Sequence, residues 1–220
     1  MIHSFWSPIF LSITVACTAG LIVSFLGLII GRIMARKSFK GKTALETLMM
    51  LPLVLPPTVV GFLLLVIFGM NSPIGQLIEA LFNQPIIFTW WAAVLAAIVV
   101  SFPLMYQTAK SGFESIDGEI EDAAKVDGAT GMHVFIRVSI PLAAQSIITG
   151  VVLSFTRGLG EFGATLMFAG NIPGRTQTIP TAIYLAIDTG NMTMAWLWVG
   201  SVVVLSYLLL FVIYRLPRNQ

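Results

Sequence analysis

The side chains that could do chemistry in this 220-residue chain are few, and the acidic ones are concentrated in one stretch. Carboxylates serve as general acids, general bases or metal ligands when they converge with other polar side chains. The chain has one cysteine, Cys17, and its two histidines, His3 and His133, are far apart in the sequence. We therefore expect no catalytic site, no metal cluster and no cofactor. Six of the ten acids fall within one short segment, and they are Glu114, Asp117, Glu119, Glu121, Asp122 and Asp127.

The acidic stretch also carries a helical pattern. Apolar residues recur in it at helical spacing, at Ile120 and the pair Ala123–Ala124. Ser115 or Asp117 can cap a helix at its start, and Gly128 can end it in a left-handed turn. The pattern predicts a short amphipathic helix that offers one face to a groove on a partner. A solvated connector between two longer helices is the alternative.

A second group of charges interrupts an apolar segment further along the chain. Arg157 and Glu161 are four residues apart, so they share one helix face and can form an ion pair. Gly160 and Gly163 lie beside them and permit either a close backbone approach or a break in the helix. The group predicts a gate or vestibule in which Arg157 attracts an anion. A structural ion pair at the membrane interface is the alternative.

Composition determines which elements must position these residues. Apolar residues make up 57% of the chain and charged residues only 10%, and the mean hydropathy is +0.92. A soluble domain usually carries about 25% charged residues. This chain has too few charges to cover a surface that faces water, so lipid must be the solvent for much of it.

Long segments without Asp, Glu, Lys or Arg mark the membrane-spanning helices. A bilayer core about 30 Å thick needs roughly 20 apolar residues in a helix, and backbone groups in lipid must be satisfied internally. We therefore predict an all-α integral membrane protein, one domain over residues 1–220, with about five transmembrane helices. The predicted spans are 9–31, 47–69, 88–108, 140–168, which is interrupted, and 195–214.

Prolines and one short apolar segment add detail to this topology. Pro52, Pro56, Pro57 and Pro103 lie inside the second and third predicted spans, where each removes a helix hydrogen bond and favours a kink. The apolar residues within 177–190 are too few to cross a bilayer. They predict either an external amphipathic helix or a re-entrant half-helix, which would be a sixth membrane element.

The distribution of positive charge predicts the orientation. Ten of the twelve Lys and Arg residues lie after the first and third spans or in the C-terminal tail. Cytoplasmic loops of membrane proteins collect Lys and Arg. We therefore expect a multi-pass protein of the inner membrane with its N-terminus outside, its C-terminus inside, and a cytoplasmic loop over residues 110–139.

Within that loop, the segment Asp122-Ala-Ala-Lys-Val-Asp-Gly128 and the later Pro141 resemble the EAA loop of ABC-importer permeases. In that family the loop forms a coupling helix that docks into a cleft on the cytoplasmic ATPase. The resemblance places Asp122 where the usual Glu stands, with Glu121 just before it, and either acid can do the work of that Glu. The coupling residues it implies are Glu121, Asp122, Ala123, Ala124, Gly128 and Pro141.

Three further motifs are similar to the molybdate permease family of oxyanion importers. They are Leu51-Pro-Leu-Val-Leu-Pro-Pro-Thr-Val-Val-Gly61, Arg157-Gly-Leu-Gly-Glu-Phe-Gly-Ala-Thr165 and Asn171-Ile-Pro-Gly-Arg-Thr-Gln-Thr-Ile-Pro180. Sulfate permeases share a close relative of the Gly-Glu-Phe-Gly part. The resemblance implies a homodimer in the lipid bilayer, cytoplasmic ATPase subunits that hydrolyse the ATP, and an extracytoplasmic oxyanion-binding protein. It implies no enzymatic activity in this chain and no nucleic acid as a partner.

The predicted function is therefore that of a permease subunit in an ATP-driven importer, for molybdate first, with sulfate or tungstate as alternatives. A stand-alone ion-driven carrier or a membrane-embedded enzyme is an alternative from another class. An ion-driven carrier is expected to hold ionisable residues near the middle of the membrane. Segments without charge cover every predicted span except the outer part of the fourth, which argues against a carrier.

Overall fold

The chain folds into helices joined by short connections. The computed structural model describes residues 2–215, apart from the side chains of residues 2–4, 210 and 212–215. No strand occurs in that part of the chain, so the predicted all-α class is confirmed. A π-helical turn, Phe135–Ser139, joins the seventh and eighth helices. In chain order the helices are α1 (Ile2–Arg36), α2 (Lys42–Val54), α3 (Pro57–Phe68), α4 (Pro73–Phe82), α5 (Trp90–Glu114), α6 (Gly118–Val126), α7 (Gly131–Val134), α8 (Ile140–Leu142), α9 (Ala144–Leu159), α10 (Gly163–Phe168), α11 (Ile179–Asp188) and α12 (Met192–Arg215).

Three of the described helices, α1, α5 and α12, are long and apolar enough to cross a membrane by themselves. Two bent pairs of helices bring the number to five if each pair makes one span. The predicted spans 9–31 and 195–214 lie inside α1 and α12, and the predicted span 88–108 begins two residues before α5. The length and composition of these helices therefore agree with about five membrane crossings.

The region predicted as one kinked span over 47–69 is two helices whose axes differ by 116°. Between α2 and α3, Leu55 has φ −69° and ψ 143° and Pro56 has φ −53° and ψ 137°. Each of these two residues precedes a proline, and the ring of a following proline disfavours the helical conformation. Two consecutive residues are therefore extended, and the chain changes direction instead of merely bending.

The region predicted as an interrupted span over 140–168 has two breaks. The helical run over Gly131–Leu142 meets α9 at an angle of 75°, with Ala143 between them. A second break, over residues 160–162, separates α9 from α10. The structure therefore has a helix break near Arg157 and Glu161 and, in addition, a bend at Ala143.

Helix α5 forms the centre of the fold. It packs against α1 along one side and α9 along the other, and α1 and α9 also contact each other. Small residues face these contacts, among them Ala19 of α1 and Ala97 and Ala109 of α5, all of them buried. Two helices can approach closely where their facing side chains are small. This three-helix bundle supports the shorter helices at both ends.

The segment 177–190 contains the ten-residue helix α11, which lies against α1 and α12. The backbone N–H of Ile179 donates a hydrogen bond to Ser12 Oγ at 2.7 Å. The indole N–H of Trp198 donates to the carbonyl oxygen of Phe5 at 3.0 Å. A helix of this length is about 15 Å long, half the thickness of a bilayer core. It therefore does not add a full crossing.

Candidate functional sites

The acidic stretch forms helix α6 as predicted, and its two ends have clear causes. Asp117 is the capping residue, and its Oδ1 accepts a hydrogen bond from the backbone N–H of Glu119 at 3.0 Å. Gly128 has φ +90° and donates its N–H to the carbonyl oxygen of Lys125. Glycine adopts this left-handed conformation without the steric cost that other residues incur. The predicted cap and the predicted left-handed turn are both confirmed.

One side of α6 presents apolar side chains to the outside. Val126 is 87% exposed and Ile120 is 48% exposed, and Ala123 lies midway between them and is exposed as well. Residues three apart are neighbours on one helix face. An exposed apolar face on an otherwise charged helix indicates a surface that a partner covers. Ala124, on the adjacent side, is half-buried.

Glu121 points the other way, into the protein, and is only 4% exposed. Its two carboxylate oxygens accept hydrogen bonds from the guanidinium of Arg32 at 2.7 and 2.9 Å. Arg36 pairs with the same carboxylate at 3.0 Å, and the Ser139 hydroxyl donates to it at 2.8 Å. We call this group, Arg32, Arg36, Glu121 and Ser139, the carboxylate clamp.

The clamp keeps Glu121 ionised. Burial of the carboxyl group would raise its pKa, but the hydrogen bonds from Arg32 and Ser139 and the positive charges of Arg32 and Arg36 outweigh burial and lower the pKa to about 2. The guanidinium of Arg32 also lies over the rings of Phe113 and Phe135, at 5.5 and 5.9 Å from their centroids. The arginine is therefore held by a carboxylate and two aromatic faces.

The neighbouring acid, Asp122, is exposed and pairs within its own helix, with Lys125 at 2.7 Å. The two adjacent acids therefore have different surroundings: Glu121 binds the long helix α1, and Asp122 faces solvent. Pro141 lies outside α6, in α8, two residues before the bend at Ala143. The structure thus brings Glu121 to Ser139, close to Pro141 in sequence, and leaves the face with Ala123 open.

A polar group that sequence reasoning missed joins α2 to α5. Lys110 Nζ lies 2.7 Å from Glu46 Oε1 and 3.6 Å from Glu114 Oε1. The hydroxyl of the buried Tyr106 donates to Glu46 Oε1 at 3.2 Å. The spacing of Lys110 and Glu114 was the available signal, because charges four apart on a helix commonly pair. Glu46, by contrast, comes from a segment that is distant in the sequence.

The second predicted group lies at the break between α9 and α10. Arg157 and Glu161 form an ion pair at 2.6 Å, with side chains that are 28% and 1% exposed. The other Glu161 oxygen accepts a hydrogen bond from the backbone N–H of Ala164 at 2.7 Å. Gly160 is the residue at which α9 ends. The buried carboxylate therefore joins the end of one helix to the start of the next.

Gly163 begins α10 and lies against α3. A Cβ built on it would be 3.0 Å from Pro57 Cβ and 3.2 Å from the backbone N of Thr58. On the facing helix, a Cβ built on Gly61 would be 2.8 Å from Ala164 Cα. The two broken regions of the chain, 55–57 and 160–163, are thus in direct contact.

An apolar groove lies apart from these residues. Its volume is about 690 Å³, and its lining includes Ile22, Trp90, Trp91 and Arg175. Arg157, Gly160, Glu161 and Gly163 do not line it. The candidate gate residues therefore lie at a contact between helices rather than in this groove.

Residues 27–218 match the family described as binding-protein-dependent transport system inner membrane component. The match covers most of the chain, and the chain belongs to this family.

Individual relatives agree with the family. A Bacillus subtilis (strain 168) protein named "Putative molybdenum transport system permease protein YvgM" is 64% identical over 211 residues, which are 96% of this chain and 93% of that protein. The molybdenum transport system permease protein ModB of Escherichia coli (strain K12) is 44% identical over 184 residues, 84% of this chain and 80% of that protein. The sulfate transport system permease protein CysT of Salmonella typhimurium is 34% identical over 204 residues, 93% of this chain and 73% of that protein.

Solved structures share the fold. A chain of the MetNI methionine ABC transporter in an inward-facing conformation has a TM-score of 0.73 at 16% identity and covers 94% of this chain and 92% of its own length. A chain of a bacterial ABC transporter that imports alginate has a TM-score of 0.76 at 16% identity, and the match covers 98% of this chain and 80% of that chain. The predicted ABC-importer permease fold is therefore confirmed.

Proposed function

We propose that this chain is the membrane-spanning subunit of an ATP-driven importer of molybdate. The observation that carries the proposal is the 64% identity with a molybdenum transport permease over nearly the whole of both chains. The sulfate permease relative is much less similar, at 34% identity, so molybdate is the first substrate and sulfate the second candidate. The chain itself is not an enzyme, because in such importers a separate ATPase subunit hydrolyses the ATP.

The exposed face of α6 is the part that we assign to the ATPase. Its apolar residues, Ile120, Ala123 and Val126, lie on one side of a short helix whose opposite side is fixed by the carboxylate clamp. Burial of such a face against a groove is favourable, at about 25 cal/mol per Å² of apolar surface removed from water. Gly128 and Pro141 then shape the chain that leads from α6 back to the spans.

The contact between α3 and α10 is the part that we assign to the gate. The Arg157 side chain is 28% exposed while Glu161 pairs with it, so its positive charge can attract an oxyanion and the carboxylate prevents tight capture. Gly160 and Gly163 allow the two broken regions to lie in contact. Two copies of the chain would enclose the path between them, and an extracytoplasmic binding protein would deliver the substrate.

In the orientation that we propose, the N-terminus lies outside the cell and α6 lies in the cytoplasm. It is supported by the basic residues, ten of twelve of which lie on one side of the predicted spans. Cysteine labelling of intact cells tests it, after Cys17 is replaced by Ser. A cysteine at the exposed Gln84 is expected to react with an impermeant maleimide, and one at the exposed Ser38 is not. A reactive Ser38→Cys protein would contradict this orientation.

Uptake by whole cells tests the substrate. The chain, its ATPase and its binding protein would be expressed in a strain that lacks molybdate uptake, and radiolabelled molybdate would be followed with and without excess sulfate. We expect uptake that sulfate does not suppress and that an inactive ATPase abolishes. Equal suppression by sulfate and molybdate would favour the second candidate, and uptake with the inactive ATPase would contradict ATP-driven import.

A further inference from the structure

Helix α6 is attached to the rest of the chain through very little of its surface. Among its nine residues, all of them described, Glu121 is the one that is buried. Lys125 pairs within the helix, with Asp122. Besides its two chain ends, α6 contacts α7 and the π-helical turn, and the Glu121 carboxylate links it to α1.

We propose that Glu121 is a positioning residue that transmits movement of α6 to α1, so that α1 carries the motion of the ATPase into the membrane. This inference rests on the proposed function, since it assumes that an ATPase docks on α6. It adds to that function the element that receives the motion and the side chains that deliver it.

The geometry of the carboxylate clamp suits this role. Arg32 contacts both carboxylate oxygens, and a paired contact of this kind fixes direction as well as distance. Arg36, one helical turn further along α1, contacts the same carboxylate and also donates to the carbonyl oxygen of Ile116 at 3.1 Å, just before α6. Rotation or withdrawal of α6 would break these bonds unless α1 followed.

From α1 the motion has a direct route into the centre of the fold. Gly31 precedes Arg32 and lies so close to α5 that a Cβ built on it would be 3.0 Å from both Ala109 Cβ and the backbone N of Lys110. Ser139 ties the carboxylate to the π-helical turn before the bend at Ala143. Interiors packed this closely transmit a displacement rather than absorb it. A shift of α6 would therefore move α1 and α5 together.

The test separates transmission from docking. Glu121→Gln removes the charge and keeps the size, and Glu79→Gln makes the same change at an exposed position of α4, away from α6. Each variant complex, with ATPase and binding protein, would be reconstituted in lipid vesicles to measure ATPase recovery, ATP hydrolysed and molybdate taken up. We expect Glu121→Gln to recover the ATPase normally and to lose about fivefold or more of its molybdate uptake per ATP. Glu79→Gln should match the wild type.

Two results would overturn the proposal. One is unchanged uptake per ATP in Glu121→Gln, and the other is parallel loss of ATPase recovery and uptake, because Glu121 would then act on docking alone. If the Glu121→Gln protein is not produced in the membrane, Arg36→Gln is the second variant, because it keeps the contacts of Arg32 with Glu121. Its molybdate uptake per ATP should fall about twofold. An unchanged uptake per ATP in Arg36→Gln would contradict transmission. Wild-type vesicles without ATP-dependent molybdate uptake would contradict the proposed function instead, whatever the ratio between variants.

Discussion

Glu161 holds Arg157 at 2.6 Å with one carboxylate oxygen and receives the N–H of Ala164 with the other. Glu161 therefore makes two contacts: its charge is balanced by Arg157, and it caps the first turn of α10 through the N–H of Ala164. Arg157 is the more exposed partner, so its charge is the part of the pair that a passing anion can meet. The effect of substituting Arg157 can therefore be measured separately on molybdate uptake and on assembly of the complex.

Arg157→Gln is expected to slow molybdate uptake while the complex still assembles, because the variant removes the positive charge and Glu161 keeps its bond to Ala164. Arg157→Lys is the control, since it keeps the charge, and it should retain most of the uptake. Initial uptake rates and ATPase recovery in detergent are the measurements. Loss of assembly in Arg157→Gln would show that the pair is structural, and normal uptake would show that it is dispensable.

Gly61→Ala is expected to destabilise the contact between α3 and α10. The added Cβ would meet Met167 Cβ at 2.7 Å and Ala164 Cα at 2.8 Å, and overpacking of this kind costs roughly 1–3 kcal/mol. The thermal midpoint of the purified subunit in detergent should fall. Gly200→Ala is the matched control, because nothing lies within 4 Å of a Cβ at that helical position. Equal thermal midpoints for Gly61→Ala and Gly200→Ala would mean that the contact between α3 and α10 is not closely packed.

Much of the architecture could be predicted because lipid constrains it strongly. A segment as long and apolar as α1 has no other stable arrangement in a bilayer, and Asp117 and Gly128 mark the ends of α6 by local chemistry alone. The 116° change of direction at Leu55 and Pro56 could not be predicted. Two consecutive prolines, Pro56 and Pro57, favour a break in the helix, but the new direction depends on how α3 packs against α10, about a hundred residues later.

The sequence also could not predict which of Glu121 and Asp122 faces the interior of the protein. Both acids are in the same turn of an amphipathic helix, and their spacing does not say which one faces inward. The partner of Glu121, Arg32, is 89 residues away, and nothing local distinguishes Arg32 among the basic residues that follow the predicted span 9–31. The link from Glu46 to Lys110 and Tyr106 was missed for the same reason.

The carboxylate clamp predicts a defined pH dependence. The pKa of Glu121 falls from 4.5 to about 2 on folding, so the clamp stabilises the folded protein fully above pH 4.5 and loses this contribution as the pH falls towards 2. The shift corresponds to roughly 3 kcal/mol. The thermal midpoint of wild type minus that of Glu121→Gln should be constant above pH 4.5 and shrink below it. A difference that already shrinks between pH 7 and 5 would contradict the clamp.

Ala123→Asp is expected to weaken ATPase binding without preventing membrane insertion. The change puts a charge in the middle of the apolar face formed with Ile120 and Val126, and a charge buried against an apolar groove is strongly unfavourable. Ser38→Asp, in the exposed connection between α1 and α2, is the control and should bind the ATPase normally. Co-purification in detergent and an uptake assay are the measurements. Wild-type levels of both in Ala123→Asp would identify the loop as a solvated connector.

Reconstitution in sealed vesicles tests the central claim most directly. The purified chain would be inserted alone, or with its ATPase and binding protein, and molybdate accumulation followed with ATP, without ATP, and with an imposed proton or sodium gradient. The account predicts accumulation only when ATPase, binding protein and ATP are all present, and none from an ion gradient. Accumulation by the chain alone, driven by an ion gradient, would identify a stand-alone carrier and contradict the account.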